Sequence, residues 1–97
     1  ICPTLVKRQL RFSRDAEADL DRLTDFLDAV APRAAIKAAE LIRERTLLLS
    51  DFPEAGAPFP GGRELPIRFG DSGYIVRYRI DADTVIVARI FHMRENR

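Results

Sequence analysis

The chain has no tryptophan, one cysteine, one histidine and, of its sixteen basic residues, only two lysines, Lys7 and Lys37. A single thiol, Cys2, permits no intramolecular disulfide and no thiol-based metal site, which fits a reducing cytoplasm. Its position in a terminus prone to fraying argues against a catalytic thiol as well. With His92 as the sole imidazole, no ligand spacing for a metal exists, and no cofactor is expected. No nucleophile motif surrounds any serine, so a Ser/His triad is excluded. The glycines lie in turn-like segments, GDSG at 70–73 and PGG at 60–62, not in a loop that would cradle phosphate. No apolar run approaches the roughly 20 residues of a membrane helix. The first residues also lack a signal-peptide apolar region, so a cytoplasmic protein with no membrane partner is expected. Ile1 stands without a preceding Met; residues 1–4 are expected to be disordered, a cloning remnant or a trimmed start.

What is present is a globular composition, 46% apolar and 32% charged in 97 residues, enough for one core and hence one domain over 1–97. The formal charge is +1, but it is unevenly distributed. Residues 15–30 carry Asp15, Glu17, Asp19, Asp21, Asp25 and Asp28 against Arg22 alone, whereas from 63 onward seven arginines face five acids. Arginine suits bidentate contacts to phosphate or carboxylate; a GC-rich genome would produce the same bias.

Leu5 to Phe12 reads as a strand with Leu10 and Phe12 on its buried side. Ser13 stands as a helix N-cap, with Asp15 and Glu17 complementing the helix dipole. Leu20, Leu23, Leu27 and Val30, flanked by Ala16 and Phe26, form a core-facing stripe at three- and four-residue spacing while the acids face water. Pro32 fits the first position of a second helix running to about Leu49, with Ala35, Ala38, Ala39, Ile42, Thr46 and Leu49 as its stripe, widened by Leu41 and Leu48. The short connection demands an antiparallel helical hairpin. Residues 51–62, DFPEAGAPFPGG, stop both helix and strand.

Three strands then follow, around 63–69, 74–80 and 84–93, joined by turn sequences into an antiparallel meander. Pro66 puts the first of them toward an edge or a bulge. The order predicts an α+β domain in which two helices cover one face of an antiparallel sheet and leave the other face open for function.

Arg77 and Arg79 share a face of their strand, opposite Tyr74, Val76, Tyr78 and Ile80. Arg89 falls on the parity of Val85, Val87 and Phe91, so it must be paired or exposed. Such clustered guanidinium groups suit an anionic partner, or else pair with Glu64, Asp71, Asp81 or Glu95 as a solvated face. His92 alone reads more readily as a packed histidine than as a general base. On paper His92, Arg94 and Glu95 offer the base, acid and cation that metal-free RNA cleavage needs.

The succession Gly62-Arg63-Glu64-Leu65, Gly73-Tyr74-Ile75-Val76, Tyr78-Arg79-Ile80, Asp83-Thr84-Val85-Ile86-Val87 and His92-Met93-Arg94-Glu95 resembles the C-terminal half of RelE/ParE toxins of type II toxin–antitoxin systems. Phe12-Ser13, Ala16, Asp19-Leu20, Pro32 and Ala35 extend the likeness over nearly all of 6–95. The resemblance implies growth arrest and plasmid stabilisation, and a heteromeric complex with a cognate antitoxin whose C-terminal segment wraps the toxin. Leu20, Leu23, Leu27, Leu41 and Leu48 are the expected antitoxin-facing residues, and Arg63, Arg77, Arg79, Arg89 and Arg94 the expected target-facing ones. It also implies one of two targets: mRNA in the ribosome, cut by RelE-like members, or DNA gyrase, inhibited by ParE-like members that lack the cleaving residues. Ile75 stands where RelE-like nucleases often have arginine. Leu65, Pro66 and Ile67 replace lysines that some of them carry, and no tyrosine ends the chain. These departures favour a ParE-like inhibitor that is not an enzyme. The alternative is a ribosome-dependent endoribonuclease with Arg63, Arg79 and Arg94 on phosphate and His92 as proton carrier.

Overall fold

A computed structural model describes residues 9–94. The expectations for residues 1–4, for the strand start at Leu5 and for Glu95 lie outside the described residues. The elements run β1 (Gln9–Phe12), α1 (Arg14–Val30), α2 (Pro32–Asp51), β2 (Ala57–Phe59), β3 (Gly62–Phe69), β4 (Ser72–Asp81) and β5 (Thr84–His92). They form a five-stranded sheet ordered β1-β5-β4-β3-β2 with the helical hairpin packed on one face. This is the expected α+β layering with one difference: β1 pairs β5 in parallel, so the sheet is mixed. Among the described residues no helix is long and apolar enough to cross a membrane.

Ser13 accepts a hydrogen bond from the Ala16 N–H at 3.0 Å, satisfying one of the donors that a helix start leaves orphaned. Its hydroxyl also donates to the Ala88 carbonyl at 2.8 Å, tying the start of α1 to β5. Ala31 ends α1 through an N–H to Leu27 carbonyl bond. Pro32 then opens α2 at the position where its missing N–H costs nothing. Ala16, Leu23, Ala38, Ile42 and Leu49 meet Ile67, Val76, Tyr78, Val87 and Ile90 of the sheet in one core. Phe26 and Val30, placed beside or on the core stripe by spacing, are instead 73% and 71% exposed. They lie in the last turns of α1, where Leu27 is the side chain that packs against the core.

The proline- and glycine-rich segment holds one short strand that composition conceals. Ala57–Phe59 pairs with Gly62–Glu64, so β3 is covered there and has a free edge only from Leu65 onward. Pro66 lies in that free stretch, where no ladder bond is asked of its nitrogen. A second local irregularity is a bulge in β5. Tyr78 pairs with Val87 and Arg77 with Arg89, skipping Ala88. The extra residue reverses the alternation: Val85 and Val87 face the core, then Ile90 does, and Arg89 and Phe91 turn to the opposite side. The common parity expected for Val85, Val87, Arg89 and Phe91 is corrected by this bulge.

Candidate functional site

The register of the sheet decides which side chains share its uncovered face, because residues opposite one another project to the same side. Arg77 lies opposite both Glu64 and Arg89, Ile75 opposite Phe91, Arg79 opposite Ile86 and Arg11 opposite Ile86. The face thus brings together Arg77 and Arg79, as the alternation implied, with Arg89, which the bulge turns to this side.

They are not a bare cationic cluster. Arg77 Nε donates to Glu64 Oε2 at 2.6 Å, and its guanidinium lies 4.9 Å from the Phe59 ring centre and 5.3 Å from that of Phe91. The Arg89 guanidinium lies 5.0 Å from the Phe91 ring centre and makes two bonds to Asp19, from Nε to Oδ2 at 2.7 Å and from the terminal nitrogen to Oδ1 at 3.1 Å. The alternative of pairing with a carboxylate holds for Arg77, through Glu64, while Arg89 pairs with Asp19, which was not among the four expected partners. Among the described residues Arg79 carries no ion pair and is exposed.

Asp19 explains why α1 sits where it does. β1 stops at Phe12 opposite Val87, so the β5 backbone beyond the bulge loses its neighbour. Asp19, 5% exposed, takes over by accepting the Ile90 N–H at 2.9 Å together with the Arg89 guanidinium. Burial pushes its carboxyl up, but the bonds from Arg89 and Ile90, the Arg89 charge and the Arg22 bond outweigh it, so the group titrates below the ordinary aspartate value. The expectation that the α1 acids face water is corrected at Asp19. The missed signal is that Asp19 comes three residues after Ala16 and four before Leu23, on the buried stripe itself.

Arg63 serves a different region. It donates to the Gly56 carbonyl at 2.7 Å, while the buried Tyr78 hydroxyl donates to the Pro53 carbonyl at 2.6 Å and accepts the Gly56 N–H at 2.9 Å. Together they fasten residues 53–56 to the sheet. Gly56 is required there, since a Cβ would come within 2.7 Å of the Glu64 carbonyl oxygen. Burial raises the Tyr78 hydroxyl above its usual range, against the Gly56 bond and the nearby Arg63 charge.

His92 and Arg94 occupy the far end of β5. With Arg22, Leu23, Phe26, Leu27 and Tyr74 they line a cleft of about 690 Å³ between α1 and the sheet. The His92 ring meets Tyr74 edge-on at 5.5 Å, and its Nδ1 accepts the Arg94 N–H at 3.1 Å. Arg63 lies opposite Tyr78 and His92 opposite Tyr74, four residues along β4, or about 13 Å. Arg79 projects from the other face. The four residues expected of a nuclease, Arg63, Arg79, His92 and Arg94, are therefore not gathered at one place. Among the described residues no three His, Cys, Asp or Glu side chains group as a metal ion would need.

Of the five leucines expected to face an antitoxin, Leu23 is in the core and Leu20, Leu27 and Leu41 pack against it; only Leu48 is exposed. Helical stripes that spacing marks as apolar are first of all the domain's own core. The large apolar side chains that the helices leave uncovered are Phe26, Val30, Ile36, Leu47 and Leu48, with Phe52 just after α2.

Residues 10–97 match the family described as the ParE toxin of the type II toxin–antitoxin system parDE. Toxin RelE3 of Caulobacter vibrioides is 39% identical over 83 residues, covering 84% of this chain and 90% of its own length. Toxin RelE1 of the same organism is 37% identical over 83 residues, with 84% and 89% covered. Among solved structures, the chromosomal ParDE system from P. aeruginosa superposes with a TM-score of 0.76 at 25% identity, covering 91% of this chain and 98% of that one. The RelBE2 toxin–antitoxin complex from Mycobacterium tuberculosis gives 0.59 at 27% identity, covering 90% and 99%. With its matched span, its mixed sheet and its two-helix layer, this chain belongs to the ParE toxin family of type II toxin–antitoxin systems.

Proposed function

We propose that this toxin acts by stoichiometric binding to DNA gyrase in the cytoplasm, without catalysis, and that a cognate antitoxin neutralises it. The observation that carries the reading is the dispersal of the cleaving set: His92 is about 13 Å along the sheet from Arg63 and on the opposite face from Arg79. General acid–base cleavage needs its groups within hydrogen-bond reach of one substrate. Arg77 and Arg89 are held by Glu64 and Asp19, geometry suited to a fixed contact surface. The antitoxin is assigned to the outer helical side, where Phe26, Val30, Ile36, Leu47, Leu48 and Phe52 remain uncovered.

A second reading, ribosome-dependent mRNA cleavage, is favoured by two observations. The relatives at 39% and 37% identity are named RelE, and the cleft gathers Tyr74, His92, Arg94 and Arg22. Expression without antitoxin separates the two. Gyrase inhibition produces a DNA-damage response and filamentation, whereas rapid translation arrest with cleaved mRNA rejects it in favour of the nuclease. His92→Gln sharpens the result: the binding inhibitor stays toxic when the variant folds normally.

A further inference from the structure

The open sheet face and α1 carry opposite charge. The uncovered sheet face presents Arg11, Arg68, Arg77, Arg79 and Arg89 against Glu64 and Asp81, five arginines to two carboxylates among the described residues. The exposed side of α1 carries Asp15, Glu17, Asp21, Asp25 and Asp28 against Arg14 and Arg22. α2 adds Arg33, Lys37, Arg43 and Arg45 against Glu40, Glu44 and Asp51, so the acidic side is α1 alone; on the sheet face Glu64 and Asp19 offset Arg77 and Arg89, and Arg11, Arg68 and Arg79 remain against Asp81. The same face holds apolar area, with Ile75, Ile86, Phe59 and Phe91 half-buried among the arginines.

Half-buried aromatic rings beside arginine are the composition of interface hot spots. Here they are also ordered in advance. Phe59, Arg77, Phe91 and Arg89 stack in alternation with ring-to-guanidinium distances of 4.9, 5.3 and 5.0 Å. Glu64 and Asp19 hold the two guanidinium groups from the margins. Little side-chain entropy remains to be lost on binding. Arg11, Arg68 and Arg79 surround this stack and make no ion pair among the described residues, so they are available to steer a partner.

We propose that the uncovered sheet face is the surface that docks the target, and that it receives an acidic protein surface, with the Phe59–Arg77–Phe91–Arg89 stack as anchor and Arg11, Arg68 and Arg79 as the charged rim. This rests on the binding-inhibitor reading and adds to it a division of labour: the target on the sheet, the antitoxin on the helices.

The test uses purified toxin in a gyrase supercoiling assay. Arg68→Glu combined with Arg79→Glu reverses two exposed rim charges and touches no core residue. It raises the toxin concentration for half-inhibition by about tenfold or more, while the charge-matched control Arg43→Glu combined with Arg45→Glu, both exposed on α2, leaves it unchanged. Phe91→Ala removes the anchor and weakens inhibition similarly. Unchanged thermal unfolding of each variant separates lost docking from lost folding. Raising salt from 50 to 200 mM weakens the wild type more than the double variant. A wild type that does not inhibit gyrase overturns the binding-inhibitor reading and this assignment with it. A wild type that inhibits, with the double variant and Phe91→Ala equally potent, overturns the assignment alone. Loss of binding to a labelled single-stranded RNA with intact gyrase inhibition makes the face an RNA surface instead and also overturns it.

Discussion

Replacing Asp19 removes the polar contact that joins the middle of α1 to β5 beyond the bulge. Asp19→Ala leaves the buried Ile90 N–H, now bonded at 2.9 Å, without an acceptor, at a cost of about 1–3 kcal/mol. It also deletes the two Arg89 bonds at 2.7 and 3.1 Å, which in this half-exposed setting contribute roughly another 1 kcal/mol. The total, about 2–4 kcal/mol, lowers the melting temperature by roughly 10–25 °C for a domain of this size. Asp19→Asn keeps one oxygen for Ile90 and should cost less, about 1–2 kcal/mol. The dependence on pH separates charge from packing. The folded carboxyl titrates below its ordinary 3.8, so its contribution is fully present above that value and drains away as pH falls through the folded one. The gap between wild type and Asp19→Asn is therefore widest near neutrality and closes at lower pH. Urea unfolding followed by far-ultraviolet circular dichroism at pH 7 and pH 2.5 measures it. A cost for Asp19→Ala below about 0.5 kcal/mol, or a gap that is the same at both pH values, would refute the reasoning.

Three further outcomes are expected. Tyr78→Phe removes the hydroxyl that joins Pro53 and Gly56; it should cost about 1–3 kcal/mol and, in hydrogen exchange, speed the amides of 53–59 more than those of β5. Ala82 turns the β4–β5 hairpin with φ of 55°, so Ala82→Gly relieves left-handed strain and should stabilise by roughly 0.5–1 kcal/mol, read from the urea midpoint. Phe26 is 73% exposed, so Phe26→Ser should leave the melting temperature within about 2 °C while weakening antitoxin binding in calorimetry by tenfold or more, roughly 1.4 kcal/mol.

Local signals carried much of this reading. Ser13 as N-cap, Pro32 as helix opener, the Ala35–Ala38–Ile42–Leu49 stripe and the turns at 70–71 and 82–83 are legible because each depends on neighbours within a few residues. The same locality gives the opposed faces of Arg77 and Tyr78, and the order of the motifs gives the family. Misreadings arose where the deciding partner is distant in the chain. Nothing near Ala57–Phe59 shows that it will pair with Gly62–Glu64 in a segment rich in breakers, nor does β1 show that it will join β5 in parallel. The bulge at Ala88 inverts one half of β5, and no local pattern announces it.

The candidate site suffered most from this limit. Asp19 and Arg89 stand 70 residues apart, and their pairing exists only once helix placement is set; Glu64 was among four candidate carboxylates, and strand register is what selects it for Arg77. The apolar helical positions are similarly ambiguous, since spacing alone does not separate Leu23, which the domain buries, from Phe26, which it leaves for a partner. Periodicity and capping are short-range properties of a chain and so are written in its order. Which charges are neutralised and which surface stays uncovered depends on the packing of whole layers, and that emerges only when the helical hairpin has closed over one side of the sheet.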